Sequence, residues 1–125
     1  MALTFVQVKI SNPADPKKQT EIQFLVDSGA IYSVVPSAIL KKIAVQPHSK
    51  KTFTLANGET VERSIGDATF EYAGEKGASP AIFGEKGDST LLGAVTLESL
   101  GLMLDPLRRE IRQLPMVLGA MRRMR

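Results

Sequence analysis

The stretch Phe24-Leu25-Val26-Asp27-Ser28-Gly29-Ala30-Ile31-Tyr32-Ser33-Val34-Val35-Pro36 decides how this chain is read. Three apolar residues run straight into an aspartate, a turn follows, and β-forming residues resume until a proline. Glu21–Val26 alternates like a strand, with Ile22, Phe24 and Val26 on one face. Gly29 permits a tight turn, and Ala30 keeps the following backbone close. Asp27 is therefore expected at the end of a buried strand, on a loop that the sheet holds rigid. Asp, Ser and Gly also favour ordinary turns, so the tetrapeptide alone reads first as a turn. A lone buried carboxylate is costly, however, and an acid in this setting calls for a reason.

Outward from this stretch, the chain is a series of short apolar segments punctuated by turns, which predicts a mostly β domain. Leu3–Ile10 reads as a strand, Ser11–Gln19 as a turn broken by two prolines, and the strand Glu21–Val26 completes a hairpin. Ile31–Val35 resumes the β pattern, and Pro36-Ser37 starts a short helix through Ile43. Phe53–Leu55 and Thr60–Ile65 flank Asn57-Gly58, a hairpin signal because both residues accept positive φ. Ala68–Tyr72 continues as β. The two GEKG tetrapeptides, Gly74–Gly77 and Gly84–Gly87, read as turns bracketing a strand near Pro80–Phe83. Thr90–Leu92 is a short buried strand and Val95–Leu100 a short helix closed by Gly101 as a left-handed cap. Leu102–Leu104, an Asp105-Pro106 turn and Glu110–Leu114 complete the pattern.

Leu91-Leu92-Gly93 alone is core plus a close-packed glycine. Its order relative to the opening stretch adds information: apolar strand, D-S-G-A, strand, proline and short helix; then a hairpin; then apolar-apolar-Gly, short helix, strand and D-P turn. From about Thr4 to Leu114 this resembles the retropepsin-like aspartic proteases, and most of all their small bacterial branch. FLVDSGAIYSVVP, the LANGE hairpin and LLGAVTLESLGLMLDP carry the resemblance. It implies a mostly β, single-domain acid-protease fold, with sheets closed like a barrel and one or two short helices. It implies that Asp27 is the catalytic aspartate and that Ser28, where threonine is commoner, braces paired loops across a dimer. Gly29 matches the family's turn glycine and Ala30 the small residue after it. Leu91, Leu92 and Gly93 match the segment beneath the catalytic loop. By position, Ala56, Asn57, Gly58 and Glu59 fall where a substrate-covering flap lies. The protease domain would span residues 1–115, leaving 116–125 as a basic tail that matches nothing in the family.

The chemistry of carboxylates agrees. Peptide hydrolysis needs a base for water and an acid for the scissile group. Two carboxylates a few ångströms apart can supply both, because like charges that close share a proton; aspartic proteases are the established example. Asp15 and Asp105 adjoin prolines, Asp67 follows a glycine in a polar segment, and Asp88 lies in GEKGDST. None follows an apolar strand and precedes S/T-G, so the second carboxylate is expected from a second copy across a two-fold axis. The expected protein is a homodimeric aspartic endopeptidase, a hydrolase of peptide or protein substrates, without metal or organic cofactor. The alternative is a catalytically inactive module of the same fold that binds peptides or only dimerises.

Composition limits the rivals. At 125 residues, 43% hydrophobic and 23% charged, the chain is one soluble domain. It has no cysteine and one histidine, which removes thiol nucleophiles and leaves no His or Cys set for a metal. His48 sits in QPHSKK, read as a solvated polar loop rather than part of a Ser-His-Asp triad. Of the net charge of +3, residues 106–125 supply +5 with six arginines and one glutamate, leaving −2 for the rest. A body without net positive charge argues against nucleic acid as a partner. MRRMR at the end, with no interleaved aromatic, reads as a solvated tail. GEKGDST lacks phosphate-loop spacing. Leu91–Leu104 is interrupted by Glu98 and falls short of the ~18–20 apolar residues of a membrane span. MALTFVQVKI lacks a signal peptide's basic start and apolar run, so the expected location is cytoplasmic.

Overall fold

A computed structural model describes residues 3–115 of the chain. The expected tail, 116–125, lies outside the described residues. The elements are β1 (Phe5–Asn12), β2 (Asp15–Val26), β3 (Ser33–Pro36), α1 (Ser37–Lys42), β4 (Pro47–Thr54), β5 (Thr60–Tyr72), β6 (Glu75–Gly84), β7 (Leu91–Leu92), α2 (Ala94–Ser99), β8 (Leu102–Asp105) and β9 (Glu110–Gln113).

Six strands close on themselves in the order β1-β2-β7-β3-β6-β5, with β5 pairing back to β1 through Lys9–Ser11 and Thr69–Glu71. Two contacts in this ring are parallel, β2 with β7 and β3 with β6. Closure removes the free edges that an open sheet would leave. β4 hangs on β5 outside the ring, and β8 and β9 form a separate two-stranded sheet. This is the mostly β, barrel-like, single-domain architecture expected from the sequence. Among the described residues no helix is long and apolar enough to cross a membrane.

The core follows from alternation. Val8 and Ile10 of β1, Phe24 and Val26 of β2, and Ala68 and Phe70 of β5 all point inward and are buried. The Phe24 and Phe70 rings meet at 5.9 Å with planes 55° apart, a tilted contact that uses the edge of one ring against the face of the other. Leu40 and Ile43 from the α1 segment and Leu97 and Leu100 from the α2 segment join the same cluster.

Several local expectations need correction. Ser11–Gln19 is not one turn: β1 runs to Asn12 and β2 starts at Asp15, so only Pro13 and Ala14 connect them. Pro16 is tolerated because a bulge beside Asn12 leaves residues 16–18 outside the β1–β2 ladder, where no bond needs its N–H. Asn12 adds a tertiary reason, since its side-chain amide donates to the carbonyls of Ile43 (3.0 Å) and Ala44 (2.9 Å) at the end of α1. Thr60–Ile65 and Ala68–Tyr72 are one strand, and the first GEKG mostly extends β6, with the turn at Ala73-Gly74. His48 lies in β4 rather than in a loop. At Asn57-Gly58 only Gly58 has positive φ (+89°). Gly58 N–H donates to Leu55 O (2.9 Å) and Leu55 N–H to Glu59 O (2.7 Å), so the loop is a three-residue turn ending in a bulge. Asn57 stays in an ordinary conformation and uses its side-chain oxygen to accept from Glu59 N–H at 2.9 Å.

Besides its pairing with β6 and β1, β5 is tied to the segment between β6 and β7 by an ion pair. Arg63 of β5 grips Asp88, between β6 and β7, through Nε (2.8 Å) and a second guanidinium nitrogen (3.1 Å). Asp88 Oδ2 also accepts from Glu85 N–H at 2.7 Å, closing that turn. The Arg63 hydrogen bond, followed by the Glu85 N–H, holds the Asp88 carboxyl below the usual carboxylate range. A carboxyl lowered on folding stabilises the native state above its unfolded value, near 4, and loses that contribution as pH falls through the folded value. Asp88→Asn is therefore expected to cost about 1 kcal/mol at pH 7. The difference from the parent should shrink as pH falls below about 4, as measured by urea denaturation across pH.

Candidate active site

β2 delivers Asp27 to the end of the barrel. Leu25 N–H donates to Thr90 O (3.0 Å) and Asp27 N–H to Leu92 O (3.0 Å), continuing the parallel β2–β7 pairing one residue beyond the strand. The chain then turns: Ala30 N–H donates to Asp27 O (3.1 Å), and Gly29 N–H to the Asp27 carboxylate oxygen Oδ1 (3.0 Å). A Cβ on Gly29 would lie 3.2 Å from that same oxygen, so a larger residue would crowd the carboxylate. Asp27 is partly exposed and Ser28 exposed, which leaves the acid open to solvent or to another molecule while its backbone is fixed.

The loop is held from beneath by the start of α2. Ala94 N–H donates to Ala30 O (2.7 Å) and Val95 N–H to Ile31 O (3.0 Å). These are donors that a helix start leaves without intrahelical partners, and here the loop carbonyls supply the acceptors. Gly93 allows the approach: a Cβ there would fall 2.6 Å from Tyr32 C, 2.7 Å from Tyr32 O and 2.9 Å from Ala30 O, all backbone atoms. Leu92, 1% exposed, packs into the core below. The structure thus brings the Asp27–Ala30 turn together with Leu92 and Gly93.

Three hydroxyl residues that the sequence reading passed over complete the support. Ser33 and Thr96 are 0% exposed and Ser79 3%. Ser33 Oγ accepts from Gly93 N–H (2.9 Å) and lies 2.5 Å from Thr96 Oγ1, which is 2.8 Å from Ser79 Oγ. The available signal was position: Ser33 and Thr96 each interrupt an apolar run at a place where the pattern points inward.

Ala56, Asn57, Gly58 and Glu59 form the exposed end of the β4–β5 hairpin, and Asn57 Nδ2 donates to Glu59 Oε1 (3.0 Å). A ring contact joins the hairpin to the Asp27 loop. Tyr32 meets Phe53 of β4 edge to face, with ring centroids 6.3 Å apart at 89°.

Three of the other aspartates have basic partners. Asp67 contacts His48 Nε2 at 3.1 Å, Asp88 binds Arg63, and Asp105 contacts Arg112 at 3.2 Å. Backbone N–H donation from Arg108, together with Arg112, lowers the Asp105 carboxyl from its ordinary value. Among the described residues no cation pairs with Asp27. His48 also touches Ser49 Oγ at 3.1 Å, but this Ser-His-Asp set lies on the exposed surface of β4 and β5, apart from the loop just described. Among the described residues no three acidic or histidine side chains are grouped to hold a metal ion.

No protein-family model and no curated protein sequence matches the chain. Solved structures do. The EIAV protease complexed with the inhibitor HBY-793 aligns over 80% of this chain and 89% of that one, at 21% identity and a TM-score of 0.61. The simian foamy virus (mac) protease aligns over 76% of this chain and 92% of that one, at 20% identity and a TM-score of 0.54. The chain therefore has the protease-type fold of the retroviral proteases, the retropepsin-like fold.

Gly93→Ala tests the docking of α2. Its Cβ would meet backbone, which cannot rotate away, so the substitution is expected to cost about 1–3 kcal/mol. Hydrogen exchange should accelerate most at Asp27, Ala94 and Val95. Unaltered stability and exchange would contradict the close approach.

Proposed function

We propose that the chain is an aspartic endopeptidase working as a homodimer, with Asp27 of each copy forming the catalytic pair. The observation that carries this reading is the state of Asp27. It is the acid held on a loop pinned by backbone hydrogen bonds, and among the described residues no cation neutralises it. A carboxylate so placed is ready to share a proton with its equivalent across a two-fold axis. The ionised member takes a proton from water as the water attacks the carbonyl, and the protonated member donates to the carbonyl oxygen. Ser28 and Gly29 shape the loop, and Ala56–Glu59 is the tip of a flap over an extended peptide bound by strand-like pairing. The fold supports the reading, and FLVDSGAIYSVVP with LLGAVTLESLGLMLDP supports placing the chain near the small bacterial branch.

Asp27→Asn keeps the side chain's shape and the bond from Gly29 but removes the base. It is expected to abolish hydrolysis of a peptide library, at least about 1000-fold below the parent, with the thermal midpoint nearly unchanged. Hydrolysis that survives the substitution would remove Asp27 from the mechanism. A parent that binds peptides and never cleaves them would favour the inactive module instead.

Exposed apolar surface supports the second copy. Thr4 Oγ donates to Arg109 O (3.2 Å), which brings Leu3 and Phe5, 59% and 52% exposed, beside the β8–β9 turn that carries Leu107 at 92%. Large apolar side chains this exposed are available to an interaction surface. Leu107→Asp should leave the subunit folded and weaken self-association roughly tenfold or more. Sedimentation would show more monomer, and specific activity would fall on dilution at higher concentrations than for the parent.

A further inference from the structure

We propose that Ser33, Thr96 and Ser79 form a one-directional chain of hydrogen bonds that positions the Asp27 loop; the inference rests on the reading of Asp27 given above. The direction follows from counting protons. Gly93 N–H has only a proton to give, so Ser33 Oγ accepts it at 2.9 Å. Ser79 gives its only hydroxyl proton to Pro80 O, so it accepts from Thr96, and Thr96, its proton spent there, accepts from Ser33 at 2.5 Å. The Thr96 hydroxyl passes its proton toward Ser79 Oγ at 2.8 Å. The Ser79 hydroxyl ends the chain on Pro80 O, a longer step of 3.3 Å. Each hydroxyl accepts once and donates once, and no buried side-chain polar atom among the described residues lacks a partner.

Such a chain is an unusual occupant of a core. Ser33 and Thr96 are fully buried, where apolar residues of similar size would pack without needing partners. Hydrogen bonds add direction, which apolar contact lacks, and aligned hydroxyls polarise one another in sequence. The chain runs from Gly93, at the N-terminal end of α2, to Ser33 of β3, back to Thr96 within α2 and on to Ser79 of β6, and its first link holds the backbone of Gly93. Gly93 lies against the Tyr32 and Ala30 backbone, and its neighbours Leu92 and Ala94 bond Asp27 and Ala30. The three hydroxyls therefore set how far α2 sits beneath the loop, and with it the placement of Asp27. They are positioning residues and touch no substrate.

Thr96→Val removes the middle hydroxyl at nearly constant shape. It leaves the Ser33 proton without an acceptor and Ser79 without a donor. Amide exchange at Gly93, Ala94 and Asp27 should rise about tenfold, the usual scale for one buried hydrogen bond, while Phe24 and Phe70 in the barrel stay protected. On a cleaved peptide, kcat should fall about tenfold or more with KM within about twofold, since misplaced reacting groups slow the chemical step. Thr96→Ser, which keeps the hydroxyl, should restore both. Exchange that rises equally throughout the barrel, exchange unaltered at Gly93, or a Thr96→Ser protein no better than Thr96→Val would each overturn the proposal. If Thr96→Val does not fold, Ser79→Ala shortens the chain from its far end and is judged by the same site-selective exchange. A parent without peptidase activity would defeat the proposed function, while the exchange pattern would still decide whether the hydroxyls position the loop.

Discussion

The close approach of Gly93 to the backbone of Tyr32 and Ala30 is the constraint on which the site depends. With no side chain in the way, the start of α2 lies directly under the loop, and its N–H groups bond the carbonyls of Ala30 and Ile31 at 2.7 and 3.0 Å. Leu92 O does the same for Asp27 N–H at 3.0 Å. Directed backbone contacts on both sides of the turn leave Asp27 little freedom except at its carboxylate. A loop held this way needs no packing above it, so the acid stays open to solvent while its position is set from below.

Charge is distributed in keeping with this. Asp67, Asp88 and Asp105 each have a basic neighbour, and Asp88 and Asp105 are also lowered by backbone N–H donors, which favours their charged forms. Those acids serve the architecture: Asp88 fastens the β4–β5 hairpin to the β6–β7 turn, and Asp105 organises the turn before β9. Asp27 receives one N–H on its carboxylate, from Gly29. The acids that hold the fold and the acid proposed to act are thus separated by their surroundings.

Much of this was legible along the chain because its signals are local. The alternation of Ile22, Phe24 and Val26, the turn chemistry of Ser28-Gly29 and the left-handed Gly101 (φ +70°) involve residues close in sequence. Where the reading missed, long-range contacts had overridden local preference or, at Asn57, one local bond had replaced another. The prolines near Asn12 read as a broad turn, yet the strands pair nearly to the tip because a bulge spares Pro16 and Asn12 is engaged by the end of α1. Asn57 looked like a positive-φ residue, but its side chain found Glu59 N–H and Gly58 alone took the left-handed position. Ser33, Ser79 and Thr96 were passed over because a small hydroxyl residue reads alike on a surface or in a core until its partners are known.

Residue types along the chain mark the acid-bearing turn and the apolar-Gly segment, the strand periods around them, and the lack of any second aspartate in the same setting. These depend on residue type and short spacing. Folding in three dimensions adds that β5 returns to β1 to close the barrel, that α2 docks beneath the Asp27 loop, and that Ser33, Ser79 and Thr96 meet in one buried row. The physical reason is range: turns and strand faces are set by neighbours in the chain, whereas closure, docking and buried hydrogen bonding exist only once distant segments have packed.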